Sequence, residues 1–145
     1  MNAGKNPPAG TFYYEAGSLL VWRPEPVIDE AAVNRLIAYL GELEIQRAAP
    51  FNRFIDTRQA EAVELNFRYI FHISLYRRLS YRGPNVLTAV LVHDDAIARY
   101  FKLHEILTQG SAIDVRVFKE SALAAEWLGV PVALLDNGEG SSGTT

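Results

Sequence analysis

The chain has no cysteine and a single methionine. Without thiols it forms no disulfide, cysteine-ligated zinc site, iron–sulfur cluster or thiol nucleophile, and the lack suits a reducing compartment. No run approaches the roughly 20 apolar residues needed to span a bilayer, since the longest, Val86 to Val92, is far shorter. The start, Met1 to Pro8, lacks an apolar signal core, so a cytoplasmic location is expected. Net charge is −3 and the pI is near 5.6. That balance argues against nucleic acid as a general partner, because phosphate neutralisation needs clustered lysine and arginine. Nucleophile elbow, Walker loop, dinucleotide fingerprint and two-histidine helix motif are all missing, and no cofactor is expected.

What is present is ordinary for a globular domain: 145 residues, 49% of them hydrophobic and 21% charged. One domain of this length buries roughly 70% of the surface of its unfolded chain, enough for a core without staples. It is expected over residues 12–136. Residues 1–11 are expected as a flexible extension, and 137–145, made of Gly, Ser, Thr, Asn and Glu, as a mobile tail that cannot repay its ordering entropy. Charge is uneven along the domain. Residues 47–82 hold seven arginines against Asp56, Glu61 and Glu64, a local +4 that leaves −7 elsewhere. Such a segment is either a solvated face or a basic patch for an acidic partner or membrane headgroups.

Periodicity supplies the elements. Phe12–Glu15 and Ser18–Trp22 are β-prone runs joined at Ala16-Gly17, a hairpin signal. Asp29 is placed to cap a helix reaching about Ile45, with Val33, Leu36, Ile37 and Leu40 at helical spacing. Phe51–Asp56 follows as a strand. The run from Phe67 to Tyr81 fits both periods, but it is too long for a typical strand and predicts a helix capped by Asn66. Val86–Val92 has the composition of a strand buried on both faces. Asp94 caps the next helix, with Ile97, Tyr100, Phe101, His104 and Leu107 inward and Gly110 at its end. Ile113–Phe118 alternates as a strand, and Ser121 is expected to cap a last helix over Ala122–Leu128, anchored in the core by Trp127. The order ββαβαβαβα implies an α/β domain with a mostly parallel sheet flanked by helices.

Few residues point to chemistry. His93-Asp94-Asp95 sits at a strand's carboxyl end, where a divalent cation is conceivable, though capping and the helix dipole explain the same carboxylates. His72 and His104 are isolated, as packed, hydrogen-bonded histidines are. Glu42 and Glu44 lie two apart and diverge on a helix, so they make no catalytic pair. The second helix is the exception to this plainness. Phe67, Ile70, Phe71 and Leu75 form a stripe expected to face the core. Tyr69, Ile73, Tyr76 and Leu79 form another, which calls for a second protomer, a nonpolar ligand or the folded-back N-terminus as cover.

Phe51-Asn52-Arg53-Phe54-Ile55-Asp56, the turn Tyr81-Arg82-Gly83-Pro84, and Ile113–Glu120 followed by Ala124–Pro131 resemble the SpoIIAA-like family. These are STAS-type α/β domains related to anti-sigma-factor antagonists, and the likeness runs from about Phe12 to Pro131. The resemblance implies a SpoIIAA-like fold and a non-enzymatic regulatory or interaction module, self-associating as a homodimer. It extends to lipid-transfer domains of similar topology. The alternative is therefore a carrier or sensor of a nonpolar small molecule or lipid, with peripheral membrane association. In either case Tyr69, Ile73, Tyr76 and Leu79 are the expected contact face. The antagonists carry a phosphorylatable serine in an Asp-Ser-Ser-Gly-like stretch, whereas this chain reads Asp56-Thr57-Arg58-Gln59. Thr57 is therefore expected to bond local backbone rather than to act as a switch. An enzyme using His93, Asp94 or Asp95 with a metal is the third and weakest expectation.

Overall fold

The computed structural model describes residues 7–136. In chain order the elements are β1 (Thr11–Tyr14), β2 (Leu19–Trp22), β3 (Val27–Asp29), α1 (Glu30–Gln46), β4 (Asn52–Asp56), β5 (Ala62–Glu64), α2 (Phe67–Ser80), β6 (Val86–Leu91), α3 (Asp95–Leu107), β7 (Ile113–Phe118) and α4 (Ser121–Leu128). Three helices begin at the residues whose side chains can cap them. Asp29 accepts from the Ala32 amide at 2.9 Å, Asn66 from Tyr69 at 2.8 Å, and Asp94 from Ala96 and Ile97 at 2.7 and 3.2 Å. Each such cap contributes about 1 kcal/mol.

A five-stranded sheet of order β1-β2-β4-β6-β7 is antiparallel at the β1/β2 hairpin and parallel elsewhere. Because the strand order advances steadily, right-handed crossovers put α1, α2 and α3 on one face. Strand alternation then sorts the side chains. Leu19, Val21, Phe54, Ala89 and Leu91 point to the opposite face, closed by Ala124, Ala125 and Leu128 of α4 and by Leu135 in a helical turn at 132–136. Leu20, Trp22, Val86, Val90, Ile113 and Val115 point toward the three helices and meet Leu36, Leu40 and Leu43 of α1 and Ile97 of α3. Each such aliphatic side chain, once buried, contributes roughly 1.5–3 kcal/mol.

The expected order omits two strands. β3 and β5 pair in parallel as a separate ribbon, Val27 against Ala62 and Asp29 against Glu64, and at three residues each they are too short to show a period. Ser121 is the first helical residue rather than the cap; Glu120 takes the cap position and makes no side-chain hydrogen bond there. Trp127 packs against the core from its edge, half-buried and tilted against Phe118 with the Arg116 guanidinium over its ring, rather than lying inside it. Part of the expected extension makes contacts with the domain. Pro8 is buried, its carbonyl accepts from the Thr11 amide and hydroxyl, and the Gly10 carbonyl accepts from the Arg23 amide. Gly10 itself sits at a φ of 85°, and a Cβ there would lie 2.5 Å from the Arg23 carbonyl oxygen. Residues 1–6 of the expected extension and the expected tail 137–145 lie outside the described residues.

Candidate functional site

Helix α2 is turned differently from the expectation. Ile70, Ser74 and Arg77 face the sheet, while Phe67 and Phe71, expected in the core, are 50% and 45% exposed. Polar Ser74 and Arg77 are buried because two helices present partners to them, and this overrides a count of apolar residues. Phe67 instead stacks on Tyr100 of α3 at 4.8 Å, and Arg78 donates to the Leu107 and Gln109 carbonyls at that helix's end. On its other flank α2 meets α1 through two polar bridges. Near the helix starts the Tyr69 hydroxyl donates to Asn34 Oδ1 at 2.5 Å. Near the helix ends Glu44 of α1 meets Arg77 of α2 at 2.5 Å.

A cleft of about 840 Å³ runs along the two helices and on to the loops at 47–51 and 81–84, lined by Ile37, Gly41, Glu44 and Ile45 of α1 and by Ile73, Tyr76, Arg77 and Ser80 of α2. Behind it, between the helices and the sheet, is an apolar cavity of about 90 Å³ reaching Leu40, Ile70, Phe101 and His104. Ile37, Arg53, Ile73 and Arg77 border both spaces, and this shared lining is the neck of the site. The four residues expected as a contact face are thus divided. Ile73 and Tyr76 line the cleft, Tyr69 closes one end of it, and Leu79, 72% exposed, belongs to neither space. Burial beside Glu30 pushes the Tyr69 hydroxyl up to about 12, so it remains a donor.

The neck is charged. Alternation along β4 sends Arg53 and Ile55 toward the helices, in register with Thr88 and Val90 of β6. Arg53 donates through Nε to the Phe51 carbonyl at 3.0 Å and through an Nη to Glu44 Oε2 at 2.9 Å. One carboxylate of α1 therefore serves two buried arginines, one on β4 and one on α2. Burial lowers the Arg53 pKa and the positive Arg77 adds to that, while Glu44 opposes both. Removing one partner of a buried pair typically costs 3–5 kcal/mol, because the survivor is left charged without compensation.

At the inner end of the neck, Ser74 Oγ and His104 Nδ1 lie 2.7 Å apart. Burial, aided by the Arg77 charge, lowers the His104 pKa to about 4, so the ring is neutral at pH 7. Among the described residues no carboxylate hydrogen-bonds to this ring, so the pair lacks the orienting acid of a hydrolase triad.

Across the sheet, Asp56 ends β4 on the α4 side. Arg58 clasps it bidentately, with Nε and an Nη each at 2.9 Å, and Arg23 adds a third bond at 3.1 Å. Burial disfavours the Asp56 anion, but the Arg58 hydrogen bonds and the Arg58 and Arg23 charges outweigh that and hold its carboxyl below the usual range. The same arginines donate to the Leu135 carbonyl, and Arg58 also pairs with Asp136, so the cluster pins the C-terminal turn. Thr57 is buried and its hydroxyl donates to the Leu91 carbonyl at 2.8 Å, on the neighbouring strand rather than on local backbone.

Five of the seven arginines in the arginine-rich segment are engaged within the domain, and Arg68 and Arg82 are exposed. Arg53 and Arg77 are buried on Glu44, Arg58 clasps Asp56, Arg47 pairs with Glu15 over the Tyr13 ring, and Arg78 caps carbonyls. His93, Asp94 and Asp95 are exposed; Asp94 caps α3 and Asp95 pairs with Lys119. Among the described residues no cluster of three metal-ligating side chains occurs, and no helix is long and apolar enough to cross a membrane. His72 is exposed rather than packed. Comparison with known protein families, curated proteins and solved structures finds no match to this chain.

Proposed function

We propose that this chain is a non-enzymatic, STAS-like binding module that takes a nonpolar small molecule between α1 and α2. The observation that carries the proposal is an open cleft backed by a small apolar cavity, with Ile37, Arg53, Ile73 and Arg77 bordering both. Ligand sites are concave, mostly apolar and furnished with a few fixed polar groups. Polar contacts join the two helices, Tyr69 to Asn34 and Arg77 to Glu44, and the cleft runs along them. Titrating isoamyl alcohol, a small neutral probe, into isotopically labelled protein should shift the amides of Ile37, Ile73, Ser74 and His104. Shifts confined to other surfaces would refute the proposal.

A second function, self-association, is favoured by a different observation. Phe67 and Phe71, both exposed, extend with Tyr100 as an aromatic strip over the α2/α3 seam. Natural monomers seldom leave large apolar side chains together in water. Sedimentation across a concentration series decides it: a homodimer should dissociate on dilution, and a mass that stays monomeric throughout removes it.

A further inference from the structure

We propose that the ligand of the cleft is a small monocarboxylate, its head held by Arg53 and Arg77 at the neck and its short or branched apolar body in the cavity behind. The assignment rests on the cleft being a ligand site, as proposed above, and adds the chemical class of what enters. Charge is its first support. The neck holds two guanidinium groups against the single carboxylate of Glu44, and His104 next to them is neutral at pH 7. The other ionised groups bordering the cleft do not alter this balance: Arg47 is paired with Glu15, and the formal charges of Glu42 and of exposed Arg82 offset each other. One formal positive charge thus remains in excess where burial penalises it, eased only by the Phe51 and Tyr81 ring faces, and a monoanion neutralises it. A dianion would overshoot, an amine would add like charge, and a neutral molecule would leave the excess in place.

Donor geometry is the second support. Arg53 spends Nε on Phe51 and one Nη on Glu44, and Arg77 spends one Nη on Glu44. Their remaining N–H groups have no acceptor among the described residues, and neither side chain is among those with a fully enclosed, unpartnered atom. The free donors therefore open on the cleft or the cavity that these residues border. Guanidinium forks match carboxylate oxygens in pairs, which a lone hydroxyl cannot reproduce. Size is the third support. A dry cavity of about 150 Å³ accepts benzene, so the 90 Å³ here suits a smaller body of about four or five carbons.

Three probes of one shape and different heads test the assignment on the full chain at pH 7 in low-chloride buffer: isovalerate, isoamyl alcohol and isoamylamine, each followed by amide shifts of Ile37, Ile73 and Ser74. Isovalerate should bind roughly tenfold more tightly than the alcohol, and the amine more weakly than either. Arg77→Met should bring acid and alcohol to within about threefold of each other. If Arg77→Met does not fold, the ranking of the three heads on the parent chain decides the matter. Binding of the alcohol at the cleft as tightly as the acid overturns the carboxylate assignment and leaves the nonpolar site standing. If neither probe moves the cleft residues at millimolar concentration, both proposals fall.

Discussion

Replacing His104 by glutamine should remove most of the acid sensitivity of the fold between about pH 6.5 and pH 4. The native ring has its pKa lowered from 6.5 to about 4 by burial and by the adjacent Arg77 charge. In that window the unfolded chain takes up a proton that the native ring refuses. The unfolded state then binds more protons, so stability falls as pH falls. The contribution is complete above the unfolded pKa, is lost progressively on the way down, and stops changing once the native ring is protonated too. At 1.36 kcal/mol for each pH unit, the loss amounts to about 3 kcal/mol. Glutamine keeps an amide to meet Ser74 Oγ but cannot titrate, so urea midpoints of His104→Gln should fall less than those of the parent over the same steps. A parallel fall in parent and variant, or a His104 ring-proton titration centred near 6.5, would refute the burial argument for the neck.

Asp56→Asn should cost about 2–4 kcal/mol, because Arg23 and Arg58 lose their shared counter-ion while still partly buried, and chemical denaturation measures it. A cost under about 1 kcal/mol would mean that the cluster is fully solvated. Thr57→Glu should destabilise the domain rather than switch it, since the new carboxylate enters a buried site facing the Leu91 carbonyl; a variant that melts like the parent yet loses partner binding would contradict this. Phe67→Ser with Phe71→Ser should change monomer stability by no more than about 1 kcal/mol, as both are half in water, while weakening any self-association seen by sedimentation. Unfolding of that double variant would restore the core orientation expected from the apolar stripe.

The chain announces its long elements clearly, and much less of what lies between them. Asp29, Asn66 and Asp94 are legible as caps because a short polar side chain ahead of a periodic run has one good use, and the side chains do make those bonds. Val86–Leu91 is legible as an inner strand because nothing polar but Thr88 interrupts it. The ribbon of β3 and β5 is not legible, since its pairing depends on two loops meeting. The rotation of α2 misleads for a more instructive reason. Counting apolar residues puts Phe67 and Phe71 inside, yet Ser74 and Arg77 are inside because His104 and Glu44 await them on other helices. Arg53 gave a weak signal: an arginine flanked by Phe51 and Phe54 in a strand at the centre of a sheet must find a buried partner. The partner, nine residues earlier on α1, is visible only once the helix is laid over the strand.

The unequal covering of the sheet has a consequence for synthesis. The face bearing Leu19, Val21, Phe54, Ala89 and Leu91 is built by β2, β4 and β6, but what closes it comes from residues 121–135. On a ribosome, the three strands and their helices can assemble while this second apolar surface is still bare, because its cover has not yet left the tunnel. Nascent and truncated chains would therefore display a ready-made adhesive plane, the kind of surface that chaperones hold and that aggregates grow from. The Arg23 and Arg58 clasp on the Leu135 carbonyl joins the last-arriving turn to two strands made much earlier.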